Sequence, residues 1–185
     1  MKVIGENLRV SIDCVAYFMR KNGLRRRTLK EEQKLRFENK EPSFKIKKEN
    51  KNTSELKAIG AMLYWGEGYK GDIEHPAKNI DFANSDPEMI LMFLRFLRNN
   101  YSLEENKFRI LLYCYSDQNV PELIDFWSKL TRIPFEQFTK PYVRKDFKIN
   151  NRKMKHGLIH IRYYDKKLLL EIMKMIDSYK GRYIR

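Results

Sequence analysis

The sequence predicts an α+β protein in which a small helical N-terminal segment precedes one larger mixed domain. Beyond residue 54, helical and extended patterns alternate in the order α-β-β-α-β-α-β-β-α, without an internal repeat. With 42% hydrophobic and 13% aromatic residues, a chain of 185 residues can also bury a substantial core. We therefore expect a helical segment at 1–27, a basic linker at 28–55 and the α+β domain at 56–185.

The helices of this domain are indicated by capping signals and by apolar residues at helical spacing. Ser85, Asp86 and Pro87 introduce a helix that continues to about Asn100, because a capping side chain and an early proline favour a helix start. Further helices are expected at 54–65, 120–131 and 166–179, and extended segments at 69–73, 79–83, 108–115, 138–144 and 158–164.

The N-terminal segment carries a short pattern of its own. Ser11 is a suitable N-cap, apolar residues recur at helical spacing after it, and Gly23 is a suitable stop. The pattern resembles the turn and recognition helix of a helix-turn-helix, which implies DNA binding. Too few residues precede Ile4 to supply the usual first helix, so we expect the motif to be degenerate or to be completed by other parts of the chain. An amphipathic packing helix with a basic exit is the equal alternative. The arginines that follow are candidate DNA contacts: Arg25, Arg26 and Arg27.

The charge of the chain indicates a polyanionic partner. Lysine and arginine number 38 against 24 acidic residues, for a net charge of +14. Such an excess favours nucleic acid, because each phosphate contact releases condensed counterions. The longest apolar stretch, at 58–65, is too short to span a bilayer, and the first residues lack the apolar core of a signal peptide. We expect a cytoplasmic protein with no membrane partner.

The helix at 54–65 is the most informative element. Its residues 58–65 are uncharged on every side, which predicts burial on more than one face. Ala58, Gly60 and Ala61 are small and permit close helix packing. Gly66 and Gly68 then flank a single carboxylate, Glu67, at the tip.

These residues resemble the motif of the LAGLIDADG homing-endonuclease family. Gly60 to Gly68 occupy its nine positions, with Glu67 at the penultimate acid, and the order of elements extends the resemblance over residues 56–180. It implies a saddle-shaped antiparallel sheet and two motif helices packed at a homodimer axis. Met62 stands where the motif commonly has a small residue. The implied interface residues are Ala58, Gly60, Ala61, Met62 and Trp65.

The same resemblance implies a metal-dependent nuclease. Glu67 from each subunit of a homodimer would hold Mg²⁺ and act catalytically in cleavage of DNA phosphodiesters, although the family more often has aspartate there. Because each chain carries one motif, a pair of Glu67 metal sites requires two copies of the chain. Two-fold symmetry then predicts a pseudo-palindromic double-stranded DNA target.

The DNA-contacting surface is expected on one face of the sheet. Period-two alternation places His160, Arg162 and Tyr164 outward, and Arg109 and Tyr113 share a face of their strand. We expect these residues, with Tyr69 and Lys70, to contact the groove. From the basic run at 140–155, phosphate contacts are expected from Lys140, Arg144 and Lys145.

Two other functions remain open. A catalytically inactive LAGLIDADG-like transcriptional regulator is favoured by the partial helix-turn-helix, whereas the retained Glu67 favours the endonuclease. An RNA-binding cofactor for intron splicing is the third alternative, because charge alone does not distinguish RNA from DNA.

Overall fold

The structure is a computed structural model that describes residues 1–48, 50–72, 74–145 and 154–184. The chain divides into two compact units, Met1–Glu41 and Pro42–Arg185. The second unit contains both helices and β-sheets, so the protein belongs to the α+β class.

The N-terminal unit consists of three short helices: α1 (Lys2–Leu8), α2 (Ile12–Lys21) and α3 (Leu29–Asn39). The turn between α1 and α2 has three residues, with Arg9 in the left-handed conformation at φ 55° and Ser11 capping α2. At Gly5, a Cβ would lie 2.8 Å from the carbonyl oxygen of Val10, so glycine permits this close turn. The expectation that too few residues are available for a helix before α2 is therefore wrong, because α1 forms there.

The segment 28–55 contains regular structure where a linker was expected. Thr28 and Glu31 form a reciprocal capping box that starts α3, and Asn50 and Thr53 form a second one at the start of the next helix. A short strand lies between the two helices. These local hydrogen bonds start the two helices of this lysine-rich segment.

The C-terminal unit comprises β1 (Phe44–Ile46), α4 (Lys51–Glu67), β2 (Ile80–Asn84), α5 (Pro87–Asn100), β3 (Tyr101–Leu103), β4 (Phe108–Tyr115), α6 (Val120–Thr131), β5 (Tyr142–Arg144), β6 (Leu158–Tyr163) and α7 (Lys166–Tyr183). The predicted bounds of β4 and α6 are confirmed. The α5 helix begins as predicted, because the Asp86 carboxylate accepts hydrogen bonds from the amides of Glu88 and Met89. The helices α4 and α7 are longer than predicted.

The main sheet has the strand order β2-β6-β4-β5. β6 pairs antiparallel with both β2 and β4, whereas β5 lies parallel to β4 at the edge. The expected all-antiparallel sheet is therefore wrong at this edge, because α6 forms a crossover that lets β5 run in the direction of β4. β1 and β3 form a separate antiparallel pair.

The first strand predicted before β2, at 69–73, does not form a regular strand in its described residues. Around it, Gly68 makes an isolated bridge with Phe82, and Gly71 makes one with Pro76. Gly71 has φ 72°, a left-handed conformation that interrupts an extended segment. Ile73, the end of the predicted strand, lies outside the described residues.

One face of the main sheet is buried beneath helices. Alternate residues of β4 and β6 are buried, and Phe93 of α5 stacks on Phe82 of β2 with ring centroids 4.2 Å apart. Gly60 of α4 lies so close to Phe96 of α5 that a Cβ would overlap the ring. Because the helices use this face, the residues that alternate with the buried ones lie on the opposite face.

The two longest described helices, α4 and α7, each combine buried and charged positions. On α7, Leu168, Leu169, Ile172 and Ile176 recur at helical spacing and are buried, while Glu171 and Lys174 lie between them in sequence. Within the described ranges, no helix has the length and apolar character needed to cross a membrane.

A buried polar cluster ties the start of the C-terminal unit to α7. The Asp165 carboxylate accepts hydrogen bonds from the amide and hydroxyl of Ser43 at 2.7 and 2.6 Å, and from the amides of Lys167 and Leu168. The Tyr163 hydroxyl donates to the Ser43 carbonyl at 2.7 Å. Burial alone would raise the pKa of Asp165, but these hydrogen bonds outweigh it and lower that pKa.

Replacing Asp165 with alanine should lower the free energy of unfolding by roughly 3 kcal/mol, since it removes a helix cap and leaves buried donors without an acceptor. Because the folded pKa is below the unfolded one, this contribution is present above the unfolded pKa and is lost as pH falls through the folded pKa. Urea denaturation at pH 7 and at acidic pH measures both effects.

The exposed Asp125, which contacts Lys129 one helical turn away, provides the matched control. Asp125→Ala should change stability by less than about 0.5 kcal/mol. Equal stability losses for the two variants would contradict the structural role assigned to Asp165.

Candidate nucleic-acid interface

The main sheet presents a polar and aromatic surface on the side away from the helices. We call this surface the open face and define it by Asp81, Arg109, Tyr113, Tyr142, His160 and Arg162. Arg109, Tyr113, His160 and Arg162 were predicted from strand alternation, and the structure places all four on this face. Cross-strand pairing sets Arg162 between Asp81 on β2 and Arg109 on β4.

A row of three rings crosses the open face. The Tyr113 ring lies 4.9 Å from the Tyr142 ring and 5.0 Å from the His160 ring, measured between centroids. The rings therefore connect β5, β4 and β6 and limit one another's rotation. Such a row offers both apolar contact surface and polar tips to a ligand.

Asp81 joins the two basic side chains of β6. Its Oδ1 lies 2.7 Å from His160 Nδ1, and its Oδ2 accepts a hydrogen bond from Arg162 Nε at 2.7 Å. The side chain of Asp81 is 13% exposed, that of His160 is 23% exposed and that of Arg162 is 26% exposed. Burial alone would raise the pKa of Asp81, but the hydrogen bonds with His160 and Arg162 outweigh it and lower that pKa. The carboxylate is thus ionised at neutral pH.

Asp81 was missed by the sequence analysis. Its outward position follows from the alternation of β2, but its partners lie about eighty residues later. Only the pairing of β2 with β6 brings the three side chains together. The alternation alone would have found the position but not its partners.

Arg109 is anchored to the start of its own strand. Its Nη1 donates hydrogen bonds to the carbonyl oxygens of Asn106 and Phe108, both at 2.6 Å. These contacts fix one end of the guanidinium beside the open face. Arg109 as a contact to a base edge remains a prediction.

The predicted groove residues outside the strands fall in different places. Tyr69 is exposed, and its amide donates to the Asp81 carbonyl, which places it next to β2. Tyr164 is exposed just after β6. The Lys70 ammonium instead donates to the carbonyl oxygens of Trp65 and Gly68, both at 2.8 Å. Lys70 therefore interacts with the end of α4, where orphan carbonyls attract a cation.

Basic side chains continue beyond the open face at the β5 edge. Lys140, Arg144 and Lys145 are exposed there. The part of the predicted basic run at 146–153 lies outside the described residues. The position of the three described residues at a sheet edge is compatible with phosphate contacts, which remain a prediction.

The arginines of the N-terminal unit have different environments. Arg25 makes a two-pronged ion pair with Glu31, with nitrogen–oxygen distances of 3.1 and 2.7 Å. The hydrogen bonds from Arg25, followed by that from the Thr28 amide, lower the pKa of Glu31 to about 2. Arg26 and Arg27 are exposed. Because its guanidinium is already bound to Glu31 in the first turn of α3, Arg25 is a weaker candidate for DNA contact than Arg26 and Arg27.

The tip of α4 presents Glu67 to solvent. Glu67 is the last residue of α4, and its side chain makes no hydrogen bond or ion pair with other described residues. Gly68 follows beneath Tyr64, whose ring a Cβ at that position would overlap. The Tyr64 hydroxyl donates to the Tyr69 carbonyl at 2.8 Å and holds the turn. The carboxylate therefore projects from a well-supported helix end.

The chemistry of a Mg²⁺ site can be compared with the surroundings of the Glu67 carboxylate. In the described part of the chain, no group of three or more His, Cys, Asp or Glu side chains forms a metal cluster. Mg²⁺ is often held by one or two carboxylates together with substrate phosphates and water. An exposed, unpaired carboxylate such as Glu67 fits that mode of binding, with DNA supplying the phosphate oxygens.

The predicted dimer residues divide between two faces of α4. Gly60 and Ala61 are buried inside the chain, where Gly60 packs against Phe96, so assigning these two residues to the dimer interface was wrong. The absence of a side chain at Gly60 lets α4 approach α5 closely. Ala58 is half-buried.

The outer face of α4 remains apolar. Ile59, Met62 and Trp65 are 43%, 40% and 38% exposed, at a spacing of three residues. The Lys180 ammonium lies 4.9 Å from the centre of the Trp65 ring. Ile59 was missed, although its place one turn before Met62 could have indicated the same face.

Comparisons with protein-family models, curated proteins and solved structures gave no match to this chain. The function is therefore inferred from the open face, the α4 surface and the N-terminal helices.

Proposed function

We propose that the protein is a cytoplasmic, homodimeric, site-specific double-stranded DNA-binding protein built on a LAGLIDADG-type scaffold. The observation that carries the proposal is the open face, where arginine, histidine and tyrosine side chains are held in place opposite the buried core. The net charge of +14 supports an anionic partner.

The proposed mode of binding separates base contacts from phosphate contacts. The major groove is wide enough to admit strands, and arginine, histidine and tyrosine can donate to base edges there. Lys140, Arg144 and Lys145 at the β5 edge would contact phosphates and set the position of the sheet on the duplex. An isolated basic surface without ordered side chains would give affinity but little sequence preference.

The phosphate role is tested through salt dependence. Lys145→Ala should weaken binding to different duplexes equally and reduce the number of released counterions by about one. Fluorescence anisotropy from about 50 to 200 mM salt measures the slope, a range over which such binding changes strongly. Lys129→Ala, which removes the same charge from an exposed site on α6 outside the proposed interface, is the control for net charge. A sequence-dependent loss in Lys145→Ala would contradict the assignment.

In the proposed homodimer, the outer faces of the two α4 helices pack against each other at the two-fold axis. Ile59, Met62 and Trp65 would meet their symmetry copies there. This arrangement places two Glu67 carboxylates on one side of the dimer. It also predicts a target with two-fold symmetry.

Replacing Met62 with glutamate should raise the dimer dissociation constant at least about 30-fold, the size expected for a central interface residue. The reason is that two carboxylates would be buried against each other across the axis. Sedimentation velocity over a concentration series measures the change. Phe135→Glu, which alters an exposed apolar residue on another element, should leave the dimer intact. A wild-type protein that stays monomeric at micromolar concentration, with and without DNA, would contradict the model.

We further propose that the dimer cleaves its DNA target. Glu67 from each subunit would hold Mg²⁺, which supplies charge stabilisation at the attacking and leaving oxygens of a phosphodiester. The Lys70 ammonium near the end of α4 would reduce repulsion between Glu67 and the phosphate backbone.

A transcriptional regulator without cleavage is the second candidate, and the N-terminal unit favours it. α1, the three-residue turn and α2 have the lengths of a helix-turn-helix, in which the second helix enters the major groove. Arg26 and Arg27 follow α2 and are exposed, as expected for phosphate contacts. Both candidates share site-specific DNA binding and differ in the role of Glu67.

A further inference from the structure

The guanidinium of Arg162 is held by one nitrogen only. Its Nε donates to Asp81 Oδ2 at 2.7 Å, and among the described residues no further hydrogen bond is made by its two terminal nitrogens. A planar guanidinium fixed through Nε keeps Nη1 and Nη2 together at its far end. Arg162 thus retains a pair of donors on the open face.

Asp81 is itself fixed on its second oxygen. An ionised carboxylate only accepts hydrogen bonds, so His160 Nδ1, at 2.7 Å from Oδ1, is the donor. The Asp81 amide lies within 3.5 Å of the Tyr64 hydroxyl, and its carbonyl accepts from the Tyr69 amide. Neither the backbone nor the carboxylate of Asp81 is free to move away from Arg162.

The carboxylate of Asp81 would weaken DNA binding by repelling phosphates unless it also makes a favourable contribution to binding. Asp81 lies on the face proposed to meet DNA, where a negative charge repels phosphates. Its carboxylate is only 13% exposed, so its charge is directed mainly at its two protein partners. Holding Arg162 in place before binding reduces the side-chain entropy that a long arginine would otherwise lose at the interface.

We propose that Asp81 positions Arg162 to recognise a guanine in the major groove, an inference that rests on the proposed DNA-binding function. Guanine presents N7 and O6 as two adjacent acceptors, and the paired terminal nitrogens of Arg162 match them. Adenine presents a donor in place of O6 and lacks this match. In a two-fold dimer, the same guanine recurs once in each half-site.

The experiment compares base preference between the wild-type protein and five variants. Duplexes are selected from a random library with wild-type protein, and binding is then measured for each base at every position. Arg162→Ala should reduce the preference for one guanine at least about 5-fold in each half-site. Asp81→Ala should reduce preference at the same position, yet leave affinity for a scrambled duplex equal or higher because an acid is removed.

The double variant Asp81→Ala with Arg162→Ala tests the dependence directly. If Asp81 acts through Arg162, adding its substitution to Arg162→Ala causes no further loss of guanine preference. Asp81→Asn keeps an oxygen that can accept from Arg162 Nε and should retain part of the preference. Glu136→Ala removes an exposed acid elsewhere and controls for net charge.

Thermal unfolding of each variant separates this role from a loss of structure. Unchanged guanine preference in a folded Asp81→Ala protein would overturn the inference while leaving DNA binding intact. Preference lost at positions unrelated to Arg162 would also overturn it. A wild-type protein that selects no sequence would contradict both the inference and the proposed function.

Discussion

Replacing Gly60 with alanine is expected to destabilise the C-terminal unit by about 3 kcal/mol, at the upper end of the usual cost of overpacking. A Cβ at Gly60 would overlap the ring of Phe96, which is fully buried in the core. The gain in helix propensity, about 1 kcal/mol, is too small to offset this clash. Chemical denaturation measures the change.

Gly66 offers a matched control on the same helix. Nothing lies within 4 Å of the Cβ position at Gly66, so Gly66→Ala should leave stability unchanged or raise it by up to about 1 kcal/mol. Combining Gly60→Ala with Phe96→Leu should recover part of the loss, because a smaller side chain then faces the new methyl group. Equal stability of Gly60→Ala and wild type would show that α4 and α5 do not approach as described.

Replacing Glu67 with glutamine should reduce Mg²⁺-dependent cleavage of a selected duplex at least about 100-fold. A metal ion at a phosphodiester supplies several kcal/mol of transition-state stabilisation, and each 1.36 kcal/mol corresponds to a factor of ten in rate. DNA binding in Ca²⁺ should remain equal or become tighter, because the change removes a negative charge near phosphates. Single-turnover cleavage and anisotropy measure the two effects.

Glu74→Gln removes a carboxylate from another exposed site and should preserve cleavage. Cleavage that persists in Glu67→Gln would contradict the catalytic role of Glu67. A wild-type protein that binds its selected site without cleaving it in Mg²⁺ would support the regulator instead. In that protein, Glu67→Gln should alter neither binding nor its response to metal.

Local signals predicted much of the C-terminal unit. β4 and α6 have the predicted bounds, and α5 begins after Asp86 as its capping signal indicated. The outward residues of β4 and β6 were also correct, because period-two alternation depends only on neighbours in sequence. The strand predicted at 69–73 was a local error, because Gly71 adopts a left-handed conformation that interrupts an extended segment.

The features that were not predicted depend on contacts between residues far apart in sequence, which no local pattern specifies. β1 is ordered by pairing with β3, more than fifty residues later, and by the contact of Ser43 with Asp165. Gly60 and Ala61 were assigned to a dimer because small residues suit any helix contact, whereas Gly60 packs against α5 of the same chain and Ala61 is buried in its core. The contact between Asp81 and Arg162 likewise depends on the pairing of β2 with β6.

The central claim is that two copies of the chain bind one double-stranded DNA site through their open faces. Selection from a random duplex library, followed by footprinting of the recovered sequences, tests it most directly. We predict an enriched sequence with two inverted half-sites, bound about 1,000-fold more tightly than a scrambled duplex at physiological salt. Equal affinity for selected and scrambled duplexes, or a single half-site protected by a monomer, would contradict the account.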